Sequence, residues 1–534
     1  MATAAPARGE GSPAAPGTPL EDVASLPSIN PNLMIVGVMG ASLLQVLDTT
    51  IANVAIPHMQ SALGATADSV TWVLTSYIIA AAVATPITGW LADRIGARRL
   101  FIMSTAGFIL ASMACGTAVN LTEMVIFRAI QGVAGAFIAP LSQSFMLDAT
   151  KPSKHPQMMA LWGLGVMIGP IAGPVLGGWL TENFNWRFVF YVNLPVGVLA
   201  LVILLATLPH RPLRKRRFDL AGFGYIALGL ASLQLMLDRG QQQDWFASKE
   251  IWAYLVMSVS GLWLTAVHFT TAKEPLFERE LFQDRNFVVS VIFMLIVGLV
   301  MFAVMALLPP LMQRLLGYGV IDTGLALMPR GVGVLISMQL AGLLVRRGLD
   351  ARILVASGFA IVAVSLWQMI HWSLGVDYNH IWWTGVIQGL GIGFIFIPLQ
   401  TVAFATLQPR FRTDGSSLLN LTRSIGSSIG ISLTTVMLTR SLQTSHADLA
   451  SHITTGTSSA FDISKMDQYQ TVGDAAFAML DAEINRQAAM IGYLNDFWFM
   501  MWICVASIPL VLFMNKPARR RKSPGGEAAP VVLD

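Results

Sequence analysis

Two ionisable side chains stand where the neighbouring residues promise no water. Asp48 interrupts "LLQVLDTTIANVAIP" after a mostly apolar run from Leu33, and Arg128 stands inside "RAIQGVAGAFIAP". An ionised Arg at the centre of a bilayer costs roughly 2.5–3.5 kcal/mol on an insertion scale unless it is solvated or paired. A carboxylate and a guanidinium so placed can take up and expel a proton. In water an Asp titrates near about 3.9 and stays ionised on both sides of a membrane. To exchange a proton near neutral pH, its neutral form must gain about 4 kcal/mol, which desolvation in a dry cavity supplies. Bringing Arg128 towards Asp48 then expels the proton.

The elements that hold these groups follow from composition. The chain has 534 residues, of which 54% are hydrophobic and 12% charged, against about 25% charged in soluble domains. Long apolar runs replace the polar faces of soluble domains, so the chain reads as an all-α polytopic membrane protein. Roughly 20 apolar residues cross a hydrocarbon core as helix. By that rule fourteen spans are expected, near 33–57, 69–92, 99–118, 122–146, 157–180, 186–208, 218–238, 249–271, 286–309, 322–345, 351–372, 379–404, 416–439 and 493–515. With the N-terminus inside, 24 of the 34 Lys and Arg fall on the inner side, so both termini are expected in the cytoplasm. The runs "RPLRKRR" (211–217) and "ARRRK" (518–522) read as topology and lipid-contact charge, with no nucleic-acid partner. Residues 1–31 lack the basic region and apolar core of a signal peptide and read as a disordered cytoplasmic tail. Cys115 and Cys504 both fall in spans, so neither a disulfide nor a metal site is expected.

The chain repeats itself. "PHMQSALG" (57–64) resembles "PLMQRLLG" (310–317), and "GWLADRIGARR" (89–99) resembles "GLLVRRGLDAR" (342–352), both at an offset of 253. "IQGVAGAFIAP" (130–140) matches "IQGLGIGFIFIP" (387–398), and "GVMIG" (165–169) matches "GSSIG" (426–430). The offset grows in one direction, as loop insertions give. The expected organisation is a six-helix bundle over 32–209, a basic loop and two-helix insert over 210–284, and a second six-helix bundle over 285–515. An outer loop, 440–492, interrupts the second bundle, and a basic tail follows at 516–534. Duplicated bundles with a site between them are transporter architecture. Asp48 faces Met301 across the repeat and Arg128 faces Gly385, so both charges belong to one half.

Three motifs bear a resemblance. "GWLADRIGARR", with Gly89, Asp93, Arg94, Gly96, Arg98 and Arg99, resembles the loop between helices two and three of the major facilitator superfamily. Gly89 permits close helix contact, and Asp93 is expected to pair with Arg94 or Arg98 or to cap a neighbouring helix. In the family this cluster is a cytoplasmic latch. "GVMIGPIAGPVLGG" places Gly165, Gly169, Gly173 and Gly177 four apart, making a face without side chains; Gly178 follows, and Pro170 and Pro174 are expected to bend the helix. This stretch resembles the fifth-helix motif of drug:proton antiporters. Asp48, Thr49, Thr50, Asn53 and Pro57 match the first-helix pattern of the fourteen-helix drug exporter branch, the EmrB/QacA type.

The resemblance implies a secondary active transporter rather than an enzyme, driven by the proton gradient and without a cofactor. It would export small hydrophobic drugs across the bacterial inner membrane. Asp48 and Arg128 would couple the proton. Gln45, Thr49, Asn53, Gln131, Arg330, Gln388 and Arg423 are candidates for the substrate cavity. Three membrane Arg against one clear Asp suit neutral or weakly acidic compounds, with Asp496 placed at the outer rim. "DAAFAMLDAEINRQAAM" (474–490) has helical periodicity, so the outer loop is expected to rise as a helical hairpin. In the family this region faces a periplasmic adaptor and, through it, an outer-membrane channel; a solvated loop without a partner is the alternative. Two other functions remain open: a dedicated exporter of one metabolite, such as a siderophore or amino acid, and a membrane sensor that no longer transports. The retained Asp48, Arg128 and Asp93 cluster disfavours the sensor.

Overall fold

The structure, a computed structural model, describes residue 26 and residues 30–214, 216–452 and 474–515. The tails expected over 1–31 and 516–534 fall largely outside the described residues, as does the middle of the outer loop. Every regular element among the described residues is helical, as a chain in hydrocarbon requires, since only a helix satisfies each backbone group within its own segment. The main helices are α1 (Pro31–Ala62), α2 (Trp72–Ala84), α3 (Ala97–Thr117), α4 (Leu121–Gly135), α5 (Ile138–Asp148), α6 (His155–Asn183), α7 (Asn193–Thr207) and α8 (Leu220–Arg239). They continue as α9 (Lys249–Thr271), α10 (Arg285–Pro310), α11 (Val320–Arg346), α12 (Ala351–Ile370), α13 (Tyr378–Ala405), α14 (Arg412–His452) and α15 (Asp474–Leu510). Side-chain caps mark where the chain enters: Asn30, Asn120, Asp219, Asp284 and Asp350 each accept a first-turn N–H of the following helix.

Twelve helical segments among the described residues are long and apolar enough to cross a membrane. One of them, Trp72–Thr117, has 46 residues, about twice the length of a crossing. It turns back on itself at Gly96, whose φ of 96° only glycine adopts without strain. Val73 at its start and Cys115 at its end both lie against the Arg128–Gln131 turn of α4, so α2 and α3 run antiparallel. Helix α14 is too polar for the twelve, yet Gly426 and Gly430 pack on the Leu295 and Leu299 carbonyls of the spanning α10.

The repeat is visible in the backbone. Among the described residues four glycines have positive φ: Gly64 (63°), Gly96 (96°), Gly317 (75°) and Gly348 (92°). They pair across the halves at offsets of 253 and 252, where equivalent helices end in equivalent turns. A second signature is deeper. A Cβ on Gly132 would overlap the Tyr77 carbonyl, and a Cβ on Gly389 would overlap the Arg330 carbonyl. Helices α2 and α4 therefore touch as α11 and α13 do, and Arg330 stands where Tyr77 stands in the first half.

The halves meet along α6 and α11. There Gly163 faces Met338, Gly342 faces Ala160, and Gly324 faces Val175. The insert is a hairpin, with Gly229 of α8 and Gly261 of α9 in backbone contact. Helix α8 covers the other seam. Its Leu230 clusters with Ala82, near the end of α2, and Leu421 of α14. Gln234 accepts from Ser428, and the Leu237 carbonyl accepts from Ser432.

The outer hairpin agrees with expectation where it is described, although its helices do not restart at the membrane edge. Helix α14 runs unbroken to His452, α15 starts at Asp474, and they pair through His446–Asp481 (2.9 Å) and Asn495–Ser441 (2.6 Å). Asp496 is fully buried, on the face of α15 that carries Phe497 and Met500, with no hydrogen-bond partner for either oxygen among the described residues.

The close approach at Gly389 gives a test of the packing. Gly389→Ala is expected to destabilise the protein by about 1–3 kcal/mol, the usual cost of overpacking. Heating in detergent followed by size-exclusion chromatography reads this as a lower half-denaturation temperature. Gly375→Ala, in a loop with only a distant side-chain neighbour, should leave that temperature unchanged.

Candidate functional site

Asp48 and Arg128 lie 80 residues apart and form one buried ion pair, with Arg128 Nη1 donating to Asp48 Oδ2 at 2.7 Å. Asp48 is 1% exposed and Arg128 is fully buried. The carboxylate gains two further donors on Oδ1, Gln131 Nε2 at 2.9 Å and Asn193 Nδ2 at 2.7 Å. Asn193 also donates to Ser112 Oγ at 2.9 Å. The guanidinium donates in addition to Gln131 Oε1 (2.8 Å) and the Val73 carbonyl (3.1 Å), and it lies 4.5 Å from the centre of the Tyr77 ring. Five helices thus converge: α1, α2, α3, α4 and the start of α7. A charge pair out of water is tolerated only when its remaining hydrogen-bonding capacity is filled, and here most of it is.

Asp48 is sealed into this polar cluster and matched by Arg128. Gln131 belongs to this cluster. Asn193, Tyr77 and Ser112 were missed by sequence reasoning. The signal for Asn193 was an amide inside the apolar run "FVFYVNLPVGV", which charge-based reading passes over.

The fifth-span glycines do what their spacing implies. Along α6, Gly165 faces Met39, Gly169 faces Val46 and Leu47, Gly173 faces Thr50, and Gly177 faces Ile51. The stripe therefore carries α1 at backbone distance. Thr50, two residues from Asp48, donates to the Gly169 carbonyl at 3.2 Å, so movement of α6 is felt at the ion pair. Gly178 is buried. Pro170 and Pro174 sit inside a helix that stays α-helical from His155 to Asn183.

Asp93 pairs with neither Arg94 nor Arg98. Arg94 and Arg99 are exposed, and Arg98 donates to the Leu205 carbonyl (2.7 Å) and meets His210. The partner of Asp93 is Arg216, at 3.5 Å, from the loop first read as topology charge. Arg216 also holds Asp414 of α14 at 2.9 Å. Gly89 is small because the Asp414 side chain occupies the space a Cβ would need. Arg211, from the same loop, and Arg412 of α14 both grip Asp148 of α5, at 2.5 and 2.6 Å. Burial alone lowers the pKa of a guanidinium, and it prevails at Arg211 despite Asp148. At Arg216 burial is outweighed by Asp414, and the pKa is raised. Around these pairs Ser417 donates to the Thr85 carbonyl, Asn420 to Gln143, and Ser144 meets Thr413. Polar contacts between the halves gather at this face, which is shut.

The remaining candidates are dispersed. Gln45 is half-buried one turn from Asp48, Thr49 turns back to the Val46 carbonyl (2.8 Å), and Asn53 is exposed. Arg423 is half-buried and donates to Asn420 Oδ1 at 3.1 Å. Arg330 and Gln388 meet at a small cavity in the second half.

The latch geometry is testable. With Ser416, which is fully buried, replaced by Cys, Arg216→Gln is expected to raise labelling by an impermeant maleimide applied to the basic-loop face about fivefold, as the loss of ~1 kcal/mol implies. Arg99→Gln should leave the rate unchanged, and equal rates in both variants would remove Arg216 from the latch.

Residues 38–431 match the Major Facilitator Superfamily. The chain is 35% identical over 489 residues to the multidrug export protein EmrB of Escherichia coli, covering 91% of this chain and 95% of that protein. It is 34% identical to the multidrug export protein EmrB of Haemophilus influenzae, covering 89% and 94%. Among solved structures, the proton:xylose symporter XylE aligns over 91% of this chain and 95% of its own, with a TM-score of 0.59 at 14% identity, a likeness of fold. A duplicated helical bundle, a fifth-span glycine stripe on the first helix and a profile match over most of the chain meet in one conclusion: this protein belongs to the major facilitator superfamily.

Proposed function

We propose that this multi-pass protein of the bacterial inner membrane is a multidrug efflux transporter that exchanges a hydrophobic, neutral or weakly acidic compound for an inward-moving proton. The export proteins it resembles over nearly their full length support the class. Counting α2 and α3 separately and adding α14 to the apolar spans supports fourteen crossings, which put both termini on one side, and the excess of Lys and Arg there favours the cytoplasm. The shut face is then the cytoplasmic one.

The observation that carries the coupling is the Asp48–Arg128 pair. With the cytoplasmic face shut, Asp48 is compensated by Arg128, Gln131 and Asn193. A proton arriving from outside neutralises the carboxylate and strands Arg128, whose other donors go to the Val73 carbonyl and Gln131. The released strain bears on α1 and, through Thr50, on α6, which lies along the seam between the halves. One proton moving inward yields about 2.3 kcal/mol per 100 mV, enough to move a compound outward against a modest gradient. The helical extensions of α14 and α15 are proposed as the docking face for a periplasmic adaptor. The helix pairing through His446 and Asp481 gives that face a fixed shape.

Drug added to purified protein in weak buffer should release protons on binding, and Asp48→Asn should abolish the release. Proton release equal to wild type in Asp48→Asn would remove Asp48 from coupling. Deleting 441–490 should lower efflux from whole cells if an adaptor docks there, while leaving transport into vesicles intact.

A further inference from the structure

The second half carries a buried guanidinium without the carboxylate that completes the first. Arg330 is 8% exposed, and its Nη2 donates to the Met301 carbonyl at 3.3 Å. No carboxylate pairs with it among the described residues. Its surroundings are the repeat's version of the Asp48 cluster. Arg330 corresponds to Tyr77 and Met301 to Asp48, both at 253, while Gly385 corresponds to Arg128 and Gln388 to Gln131, both at 257. The matching backbone contacts, Gly132 on Tyr77 and Gly389 on Arg330, show that these correspondences hold in space. The guanidinium has moved from one helix to its neighbour, and the anion is gone.

In its place is a cavity of about 20 Å³, room for one or two water-sized groups. Arg330 and Gln388 supply its polar wall, and Met301, Phe359, Ile392 and Cys504 much of the rest. Gln388 is 1% exposed, and its Oε1 has no donor. A charged fork in an apolar wall is costly until a counter-charge reaches it, and a carboxylate matches a guanidinium with two parallel hydrogen bonds. Met301 is the flexible side chain that yields as the group enters.

We propose that this cavity binds one carboxylate, the anionic end of an amphipathic molecule, which gives Arg330 the charge that Asp48 gives Arg128. This rests on the export reading only in making the bound molecule cargo. A protonated acid or a neutral amide gives the guanidinium no counter-charge, so the site discriminates by charge as well as by size.

The test uses the detergent-solubilised full chain, with 1-naphthoate as probe and 1-naphthamide as its uncharged match, read by equilibrium dialysis. Arg330→Gln is expected to weaken naphthoate binding about tenfold or more, the loss of a charged hydrogen-bonded pair, and to leave naphthamide unchanged. Met301→Asp supplies the missing carboxylate internally and should exclude naphthoate equally, while Met301→Leu keeps it. Wild-type naphthoate affinity in both Arg330→Gln and Met301→Asp overturns the proposal. Full displacement of naphthoate by excess chloride assigns the site to a free inorganic anion and overturns it too. Binding through Arg330 by a protein that moves no drug in vesicles would instead overturn the export reading and leave this one standing.

Discussion

Asp48 and Arg128 meet with almost no exposed surface, and that constraint organises the first half of the molecule. Neither charge is tolerable there alone. Together they still need donors and acceptors, which no single helix supplies. Gln131 comes from the turn after Arg128, Asn193 from the start of α7, and Ser112 from α3 to hold Asn193 in place. The cluster fixes how five helices stand to one another.

The two halves share a backbone and differ in charge. The turns at Gly64 and Gly317 and the close approaches at Gly132 and Gly389 are the same device used twice. The buried ions are not. One half pairs its buried guanidinium with a carboxylate, while the other keeps Arg330 beside an apolar hollow. Duplication supplies one backbone scaffold for both arrangements.

Much of this was legible in residues and spacing. The all-helical membrane fold, the repeat, the glycine stripe on α6 and the importance of Asp48 and Arg128 follow from hydrophobic run length, offset and the cost of buried charge. Two kinds of feature were not. Neutral polar groups such as Asn193 and Ser112 carry no charge to make them conspicuous, and their role depends on partners over 60 residues away. The basic loop was read by its sign alone, which gives topology but not partners. Only folding brings Arg216 between Asp93 and Asp414, and Arg211 onto Asp148. The Asp93 pairing failed for the same reason. Arg94 and Arg98 are near in sequence, but the π-helical turn over 92–96 points Arg94 to solvent and leaves Arg98 to the end of α7.

The insert gives the molecule a front and a back in the plane of the membrane. A two-bundle transporter has two seams between its halves. Here α8 lies over one of them, with Leu230 wedged between Ala82 and Leu421 and its polar residues bonded to α14. The same helix also meets the first half, where the Arg239 guanidinium lies 5.6 Å from the centre of the Trp72 ring. The other seam is held by direct contact of α6 and α11, so one seam is spanned by an added helix and the other by small residues.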